Sequence, residues 1–416
     1  MLDMAGISIP FLSEHVAETD HGGLLRNIEF LCAELGMTLE GEVFWENGQR
    51  NVQRLRHKFE SLPSSFASLA YKVTDGTDFK RWPYVRISGC PAKLLQGHNV
   101  YGSDNADLCI MSLVEAFTLA FPELSTSLDW FHATIDFIDV TYSAQVENEV
   151  VAQQVIDTLR HLNYGQTRLS ADHKKFKTTI YWNKGSEHKE LKAYLKLPEL
   201  DNQIKQLTRK WVNEKHDHLK YQIEQITKPH IREAATGAVR FEARLKSRWL
   251  TANGIPCTLA YFTNPENQPD FPALWAKAFN DIFRTFAGAT MNAHDNTEVL
   301  NQLRAIHFRM TPNGNISYAK AETLYDLYTA IMKDGFKKTK DRICERSRAT
   351  WKRKIDDLQS AGLSLAQLMQ FTGENANVIP LIRLINVDFA NQLPADFTEP
   401  LPLSRQLKQP QLRLAS

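Results

Sequence analysis

The chain has 416 residues, 43% hydrophobic and 10% aromatic, a composition for two or three packed domains rather than a single core. Its net charge of +1 does not by itself announce a nucleic-acid partner, and no apolar run approaches the ~18 residues of a membrane helix. Five cysteines (Cys32, Cys90, Cys109, Cys257, Cys344) form no CxxC pair, and Asp3 stands where a signal peptide would be basic, so a reducing, unsecreted setting is expected.

In chain order, residues 2–12 read as a strand ended by proline, followed by an apolar-periodic helix over 24–35. Two β-hairpins are predicted at 41–59 and 68–88, the second turning at 74–77. Ser103 is a candidate N-cap for an apolar helix over 105–121. Residues 130–143 read as a strand whose two halves alternate in opposite senses, which predicts burial on both sides or a bulge. A helix over 147–162, a hairpin pairing 177–182 with 189–196, and a long polar helix over 199–226 with Pro198 in its first turn come next. The segment 238–246 alternates as a strand, with Arg240, Glu242, Arg244 and Lys246 facing outward. From about 270 only helices are predicted (271–286, 296–306, 321–333, 347–358), with a domain boundary in 287–295 and a loose, proline-rich tail from about 391. The expected class is therefore α+β: an antiparallel-sheet domain over 1–288, then an all-α domain over 289–416.

Candidate chemistry concentrates on three strands. In Lys189–Lys196 the apolar Leu191, Ala193 and Leu195 share one face, and Tyr194 lies on the other between Lys192 and Lys196. Nearby cations favour a phenolate, and a phenolate is a nucleophile toward phosphorus. Asp139, beside Thr141, and Glu242, between Arg240 and Arg244, supply carboxylates on the other two strands. If the strands are neighbours, two carboxylates with room for water suit Mg²⁺ or Mn²⁺. Taken alone, a tyrosine between lysines is more often plain sheet surface, Asp139 a hydrogen-bonded structural acid, and Glu242 an ion-pair partner.

Other motifs carry less. His216-Asp-His218 lies in a charged helical stretch and reads as a solvated face, and Gly97-His98-Asn99 reads as a polar turn after a strand. There is no P-loop, GxSxG, HExxH or dinucleotide fingerprint, which argues against motors and the familiar hydrolases. Between Lys333 and Lys354, ten Lys/Arg face three acids, a local net +7. There Ser347 caps a helix carrying Arg348, Lys352 and Arg353, Ala361-Gly362 turns, and Ser364 caps the next, a helix-turn-helix pattern suited to phosphate contacts. A basic solvated helix is the other reading.

Several longer stretches carry a resemblance: His57-Lys-Phe-Glu-Ser-Leu-Pro63, Pro91–Gly102, Gln154–Arg160, Gly165-Gln-Thr167, Ala193-Tyr-Leu-Lys196, Val239–Lys246 and Pro380–Phe389. On these, over nearly its full length, the chain resembles the replication initiators of filamentous bacteriophages, the gene II products. The resemblance implies a rolling-circle initiator-like nicking domain that cuts the viral strand of the replicative form at the origin, leaves a 3′-OH primer, and re-joins the displaced strand. It places the nucleophile on Tyr194, with Lys192 and Lys196 as helpers, and Mg²⁺ or Mn²⁺ ligands on Asp139 and Glu242. Arg240, Arg244, Arg348, Lys352 and Arg353 are the expected DNA contacts. It further implies double- and single-stranded origin DNA, host helicase and polymerase as partners, scope for a homo-oligomer on the origin, the host cytoplasm as location, and a shorter product from Met291. Family members can carry Arg where Phe137 stands, so a basic contact beside Asp139 is missing here. Tyr181 is close enough to Tyr194 in the hairpin to leave open a second tyrosine in re-joining. The competing class is a non-catalytic origin-binding protein.

Overall fold

The computed structural model describes residues 1–19, 22–25, 39–46, 49–57, 60–61, 69–74, 82–160, 167–170, 176–215, 217–283, 296–312, 314–363, 365–370 and 387–406. In chain order the N-terminal strands are β1 (Leu2–Pro10), β2 (Val16–Thr19), β3 (Gly22–Leu25), β4 (Leu39–Glu46), β5 (Gln49–His57), β6 (Glu60–Ser61), β7 (Leu69–Thr74), β8 (Tyr84–Gly89), β9 (Thr134–Gln145), β10 (Thr179–Trp182), β11 (Lys189–Leu195) and β12 (Ala238–Lys246). Ten of them form one antiparallel sheet in the order β10-β11-β12-β9-β1-β8-β7-β5-β4, with β6 beside β7 and β2–β3 as a separate hairpin.

Period-two alternation decides which face is covered. Ile138, Val140 and Tyr142 of β9, Leu191 and Ala193 of β11, and Val239, Phe241, Ala243 and Leu245 of β12 are all buried on one side. The helices Ala106–Ala120, Glu149–Leu159 and Phe271–Phe283 pack there. Each such Val, Leu or Phe contributes about 1.5–3 kcal/mol on burial, so this face holds most of the domain's cohesion. The change of sense in β9 is a bulge: Gly6 pairs with Phe137 but Ile7 with Ile135, so Asp136 is skipped.

The opposite face is capped at one end. Helices Lys196–Glu214, Asp217–Ile226 and Pro229–Ala235 bring Leu200, Ile226, Ile231 and Ala235 into a small core with Val100. The long polar helix expected over 199–226 is thus two helices, because Lys215 at φ +57° ends the first. Ser103 does not cap the apolar helix; Asn105 does, accepting from the Leu108 N–H, while the Ser103 hydroxyl accepts from the Asn105 N–H. Gly97-His98-Asn99 follows a helix, Pro91–Gln96, rather than a strand, with Gly97 at φ +83° ending it.

C-terminal helices Asn296–Ile306, Ala319–Asp334, Phe336–Cys344, Arg348–Ser360 and Leu365–Gln370 share a second core around Leu324, Tyr328, Ile331, Trp351 and Leu358. This region is not purely helical: β13 (Arg309–Met310) and β14 (Ile316–Ser317) form a short hairpin. The tail expected to be loose from about 391 instead lies on the N-terminal domain, where Leu403 is buried in the main core and Ser404 pairs with Glu115. Pro402 starts a short helix there, its carbonyl accepting from the Arg405 and Gln406 N–H groups. The helix expected over 24–35 is contradicted at its start, where Leu24 and Leu25 pair with β2 as part of β3; residues 26–35, the turn at 75–77, the boundary at 287–295 with Met291, and His216 and Ser364 lie outside the described residues.

Gly237, at φ +68° between helix Pro229–Ala235 and β12, donates to Glu149 and accepts from the Val146 N–H. A Cβ there would collide with the Val146 carbonyl oxygen. Gly237→Ala is expected to cost about 2–3 kcal/mol or more, measured as a lowered midpoint in denaturant unfolding.

Candidate active site

Strand register sets the polar face in rows. Tyr194 of β11 stands opposite Arg240 of β12, which stands opposite Ser143 of β9. The next row is Tyr181, Lys192, Glu242 and Thr141, and the third is Glu190, Arg244 and Asp139. The three strands singled out from sequence are therefore adjacent, and their polar residues share one surface.

The Tyr194 row is closed over. Tyr194 is only 3% exposed, Arg240 2% and Lys196 0%. Arg240 stands opposite Tyr194 in the register and donates to the carbonyls of Asn99 and Val100. Lys196 donates to Glu199 at 2.6 Å and to the Asn99 side chain at 3.0 Å. Asn99 in turn donates to Asp3 at 3.0 Å, and Asp3 also accepts from the Cys90 thiol at 3.3 Å. The buried charges balance, Arg240 and Lys196 against Asp3 and Glu199, which such burial requires. The Lys192 ammonium sits 4.1 Å from the Tyr194 ring centre and 6.0 Å from that of Tyr181, and bonds Glu242 at 3.3 Å.

Burial pushes the Tyr194 hydroxyl well above the ordinary tyrosine range, and Arg240 is the chief cation opposing it. This corrects the expectation that flanking lysines lower its pKa: loss of water outweighs them. Burial also depresses Lys196, to about 8, with Arg240 adding to the effect. His98, 6% exposed, is pushed down to about 3 by burial and neighbouring cations, so it is neutral at working pH.

At the other end the face is more open. Arg244, with a third of its side chain exposed, grips both oxygens of Asp139 at 2.8 and 2.7 Å. Asp139 itself is 1% exposed; burial raises its pKa and the guanidinium fork works against that. Thr141, opposite Glu242 and two residues along β9 from Asp139, has a buried hydroxyl with no hydrogen-bond partner among the described residues. Among the described residues no three His, Cys, Asp or Glu side chains converge as a ready-made metal cage. A groove of about 740 Å³ beside the β10–β11 turn, lined by Arg168, Lys184, His188 and Trp249, includes none of these residues.

Residues 1–264 match the family model for the N-terminal part of the phage replication-associated protein, the gene II product, and residues 310–402 match the model for its C-terminal part. The chain belongs to this family. The replication-associated protein of Enterobacteria phage M13 is 35% identical over 413 residues, 96% of this chain and 99% of the relative. That of Salmonella phage IKe is 36% identical over 419 residues, 97% of each. A rolling circle replication initiator protein from Geobacillus stearothermophilus aligns over 68% of this chain and 84% of its own, at 9% identity and a TM-score of 0.29.

In this member of the replication-associated protein family, Tyr194, Lys192, Asp139, Glu242, Arg240 and Arg244 come together on one face, as their strand positions imply, while Lys196, expected to close the strand, instead starts the helix that follows it. Arg240 is not the outward phosphate contact expected, because the 98–101 loop closes over it and takes its N–H groups. Arg348, Lys352 and Arg353 are exposed on their helix, capped by Ser347, in the C-terminal unit. Sequence reasoning missed Asp3, Asn99 and Glu199. Asn99 sits in the Gly97–Asn99 motif already noted; Asp3 and Glu199 give no signal, since a lone acid in a strand or a helix's first turn is ordinary.

Lys196 has a pH signature. With a folded pKa near 8 and an unfolded one of about 10.4, the unfolded chain binds more protons between those values, so stability contributed at this site rises with pH there. The melting temperature of the wild type minus that of Lys196→Met is expected to increase from pH 8 to pH 10; a flat or falling difference would contradict the buried ammonium.

Proposed function

We propose that the chain initiates rolling-circle replication of a phage genome by nicking one strand at the origin and later re-joining it. The observation that carries this is a tyrosine set opposite a buried arginine, with Glu242 one row on and Asp139 two rows on, in a chain of the phage replication-associated protein family. Tyr194 Oη attacks the scissile phosphorus, the bond to the 3′ oxygen breaks, and the 5′ phosphate stays on the tyrosine. The departing oxygen takes a proton and becomes the 3′-OH that primes synthesis, where host helicase and polymerase take over in the bacterial cytoplasm. Circle closure reverses the exchange: a 3′-OH attacks the phosphotyrosyl phosphorus and Tyr194 leaves as its hydroxyl. One phosphoester bond replaces another each time, so no ATP is needed, in keeping with the missing P-loop.

Arg240 steadies the developing phenolate, and Lys196, buried with a pKa near working pH, is suited to take and return its proton. Mg²⁺ or Mn²⁺ would be held by Asp139 and Glu242 with the Thr141 hydroxyl, unpartnered among the described residues, opposite Glu242, an oxygen set that fits ions using one or two carboxylates plus water and phosphate. When bound, the ion supplies charge stabilisation at the phosphate oxygens. Arg244, a third exposed beside them, is placed to meet the incoming strand once released from Asp139.

The nicking unit spans 1–288 and the helical unit 289–416, the latter also the extent of a shorter product from Met291. Exposed Arg348, Lys352 and Arg353 hold origin duplex there, and several copies can assemble on it. A second reading, a non-catalytic origin binder, draws on the burial of Tyr194, since a nucleophile must meet its phosphate.

An SDS-stable protein–DNA adduct on supercoiled origin DNA with Mg²⁺ separates the two. Tyr194→Phe is expected to form none and to nick at least about 10³-fold more slowly; wild-type-like nicking would remove Tyr194 from its role. Asp139→Ala and Glu242→Ala should bind the origin yet cleave about 10²-fold more slowly, and full cleavage by either ends its ligand role. For the basic helix, alanine at Arg348, Lys352 or Arg353 should lower the slope of log affinity against log salt by about 1 each; an unchanged slope places the DNA elsewhere.

A further inference from the structure

The Tyr194 row does not end at the sheet. Beyond Tyr194, Arg240 and Ser143 it continues into a segment 249 residues from Ser143 in sequence. Gln392 accepts from the Ser143 N–H at 2.8 Å and donates to the Ser143 carbonyl at 2.9 Å, so its side-chain amide completes β9 where β1 has run out. The Ser143 hydroxyl lies 3.4 Å from Arg240 Nε. Between strap and sheet lies a cavity of about 70 Å³, walled by Arg240, Thr141 and Ser143 on one side and by Phe389, Ala390 and Gln392 on the other.

The same segment braces the other partner of Arg240. Phe397 meets the Tyr101 ring edge-on at 5.9 Å, next to Val100, whose carbonyl accepts from the guanidinium. Phe389 packs edge-on against Tyr142 at 5.0 Å and Trp275 at 5.6 Å, and Gln406 donates to the Leu95 carbonyl at 3.3 Å. A strap serving cohesion alone could lie anywhere along the sheet. This one touches the two backbone segments between which Arg240 is held.

We propose that Gln392 and Phe397 are positioning residues for strand cleavage: the docked 387–406 segment holds Arg240 against Tyr194, so the C-terminal region must be in place for Tyr194 to react. The proposal rests on the reading of Tyr194 as nucleophile. It joins the basic helical unit, whose chain leads into the strap, to the chemistry on the sheet, so that engagement of origin DNA and competence to cut belong to one mechanical unit.

The test uses the full chain carrying Gln392→Leu, and separately Phe397→Ala, in single-turnover adduct formation on supercoiled origin DNA. The expected result is origin affinity within twofold of wild type, a full adduct amplitude, and a rate constant at least tenfold lower. A merely structural role lowers the amplitude, by leaving fewer folded molecules, at an unchanged rate constant, and that outcome overturns the proposal. So does a rate constant within twofold of wild type in both variants. Tyr194→Phe is assayed alongside: an adduct there removes the Tyr194 reading, whereas adduct lost there but formed at the wild-type rate in Gln392→Leu removes the strap proposal alone.

Discussion

Arg240 is a guanidinium with almost no water, and the architecture around Tyr194 follows from satisfying it. An unpaired buried charge costs several kcal/mol, so the fold must bring acceptors to it. Two come from backbone carbonyls at 99 and 100, the Ser143 hydroxyl lies beside its Nε, and the charge is answered by Asp3 and Glu199. These groups come from separate parts of the chain: the first strand, the loop before the apolar helix, β9, and the helix that follows β11. A single residue thus fixes where four segments meet.

That arrangement splits the polar face into a rigid half and an adaptable half. Around Arg240 the charged groups are tied to one another and shielded from solvent. Around Arg244 the ion pairs are partly wet on the guanidinium side, where a third of the Arg244 side chain meets solvent. A reaction that places a phosphodiester between the two halves would keep its nucleophile fixed while its electrostatic contacts exchange. Low dielectric at the rigid end strengthens the Arg240–Tyr194 interaction at the moment charge develops on the phenol.

How much of this is legible in the sequence differs by kind of information. The strands β9, β11 and β12 are legible because each buries one face, and alternation records that directly. The bulge at Asp136 is legible as a change of sense. Adjacency of the three strands is not, since pairing across a hundred residues leaves no local trace. Burial of Tyr194 is not either, because its cover comes from the 98–101 loop and the Lys196–Glu214 helix. Arg240 looks outward on period alone; period tells which face, and only tertiary packing tells whether that face is wet. The strap runs against its own sequence pattern. Proline and lack of periodicity predict looseness, yet a segment can dock by single side chains such as Gln392, Phe397 and Leu403 without any repeat.

An enzyme that conserves a phosphodiester's energy in a tyrosine ester faces one hazard above others, attack by water before the strand is re-joined. Nothing in the chemistry of the ester prevents it; exclusion of solvent and control of when the site is assembled must do so. The closed Tyr194 row bears on the first need, for Tyr194 and its neighbours Arg240 and Lys196 are almost wholly out of contact with solvent. The strap bears on the second, because the far end of the chain contacts the two segments whose groups bond Arg240. A site whose surrounding backbone is held in that way is sensitive to a contributor far along the chain, here the 387–406 segment that contacts Ser143 and Tyr101.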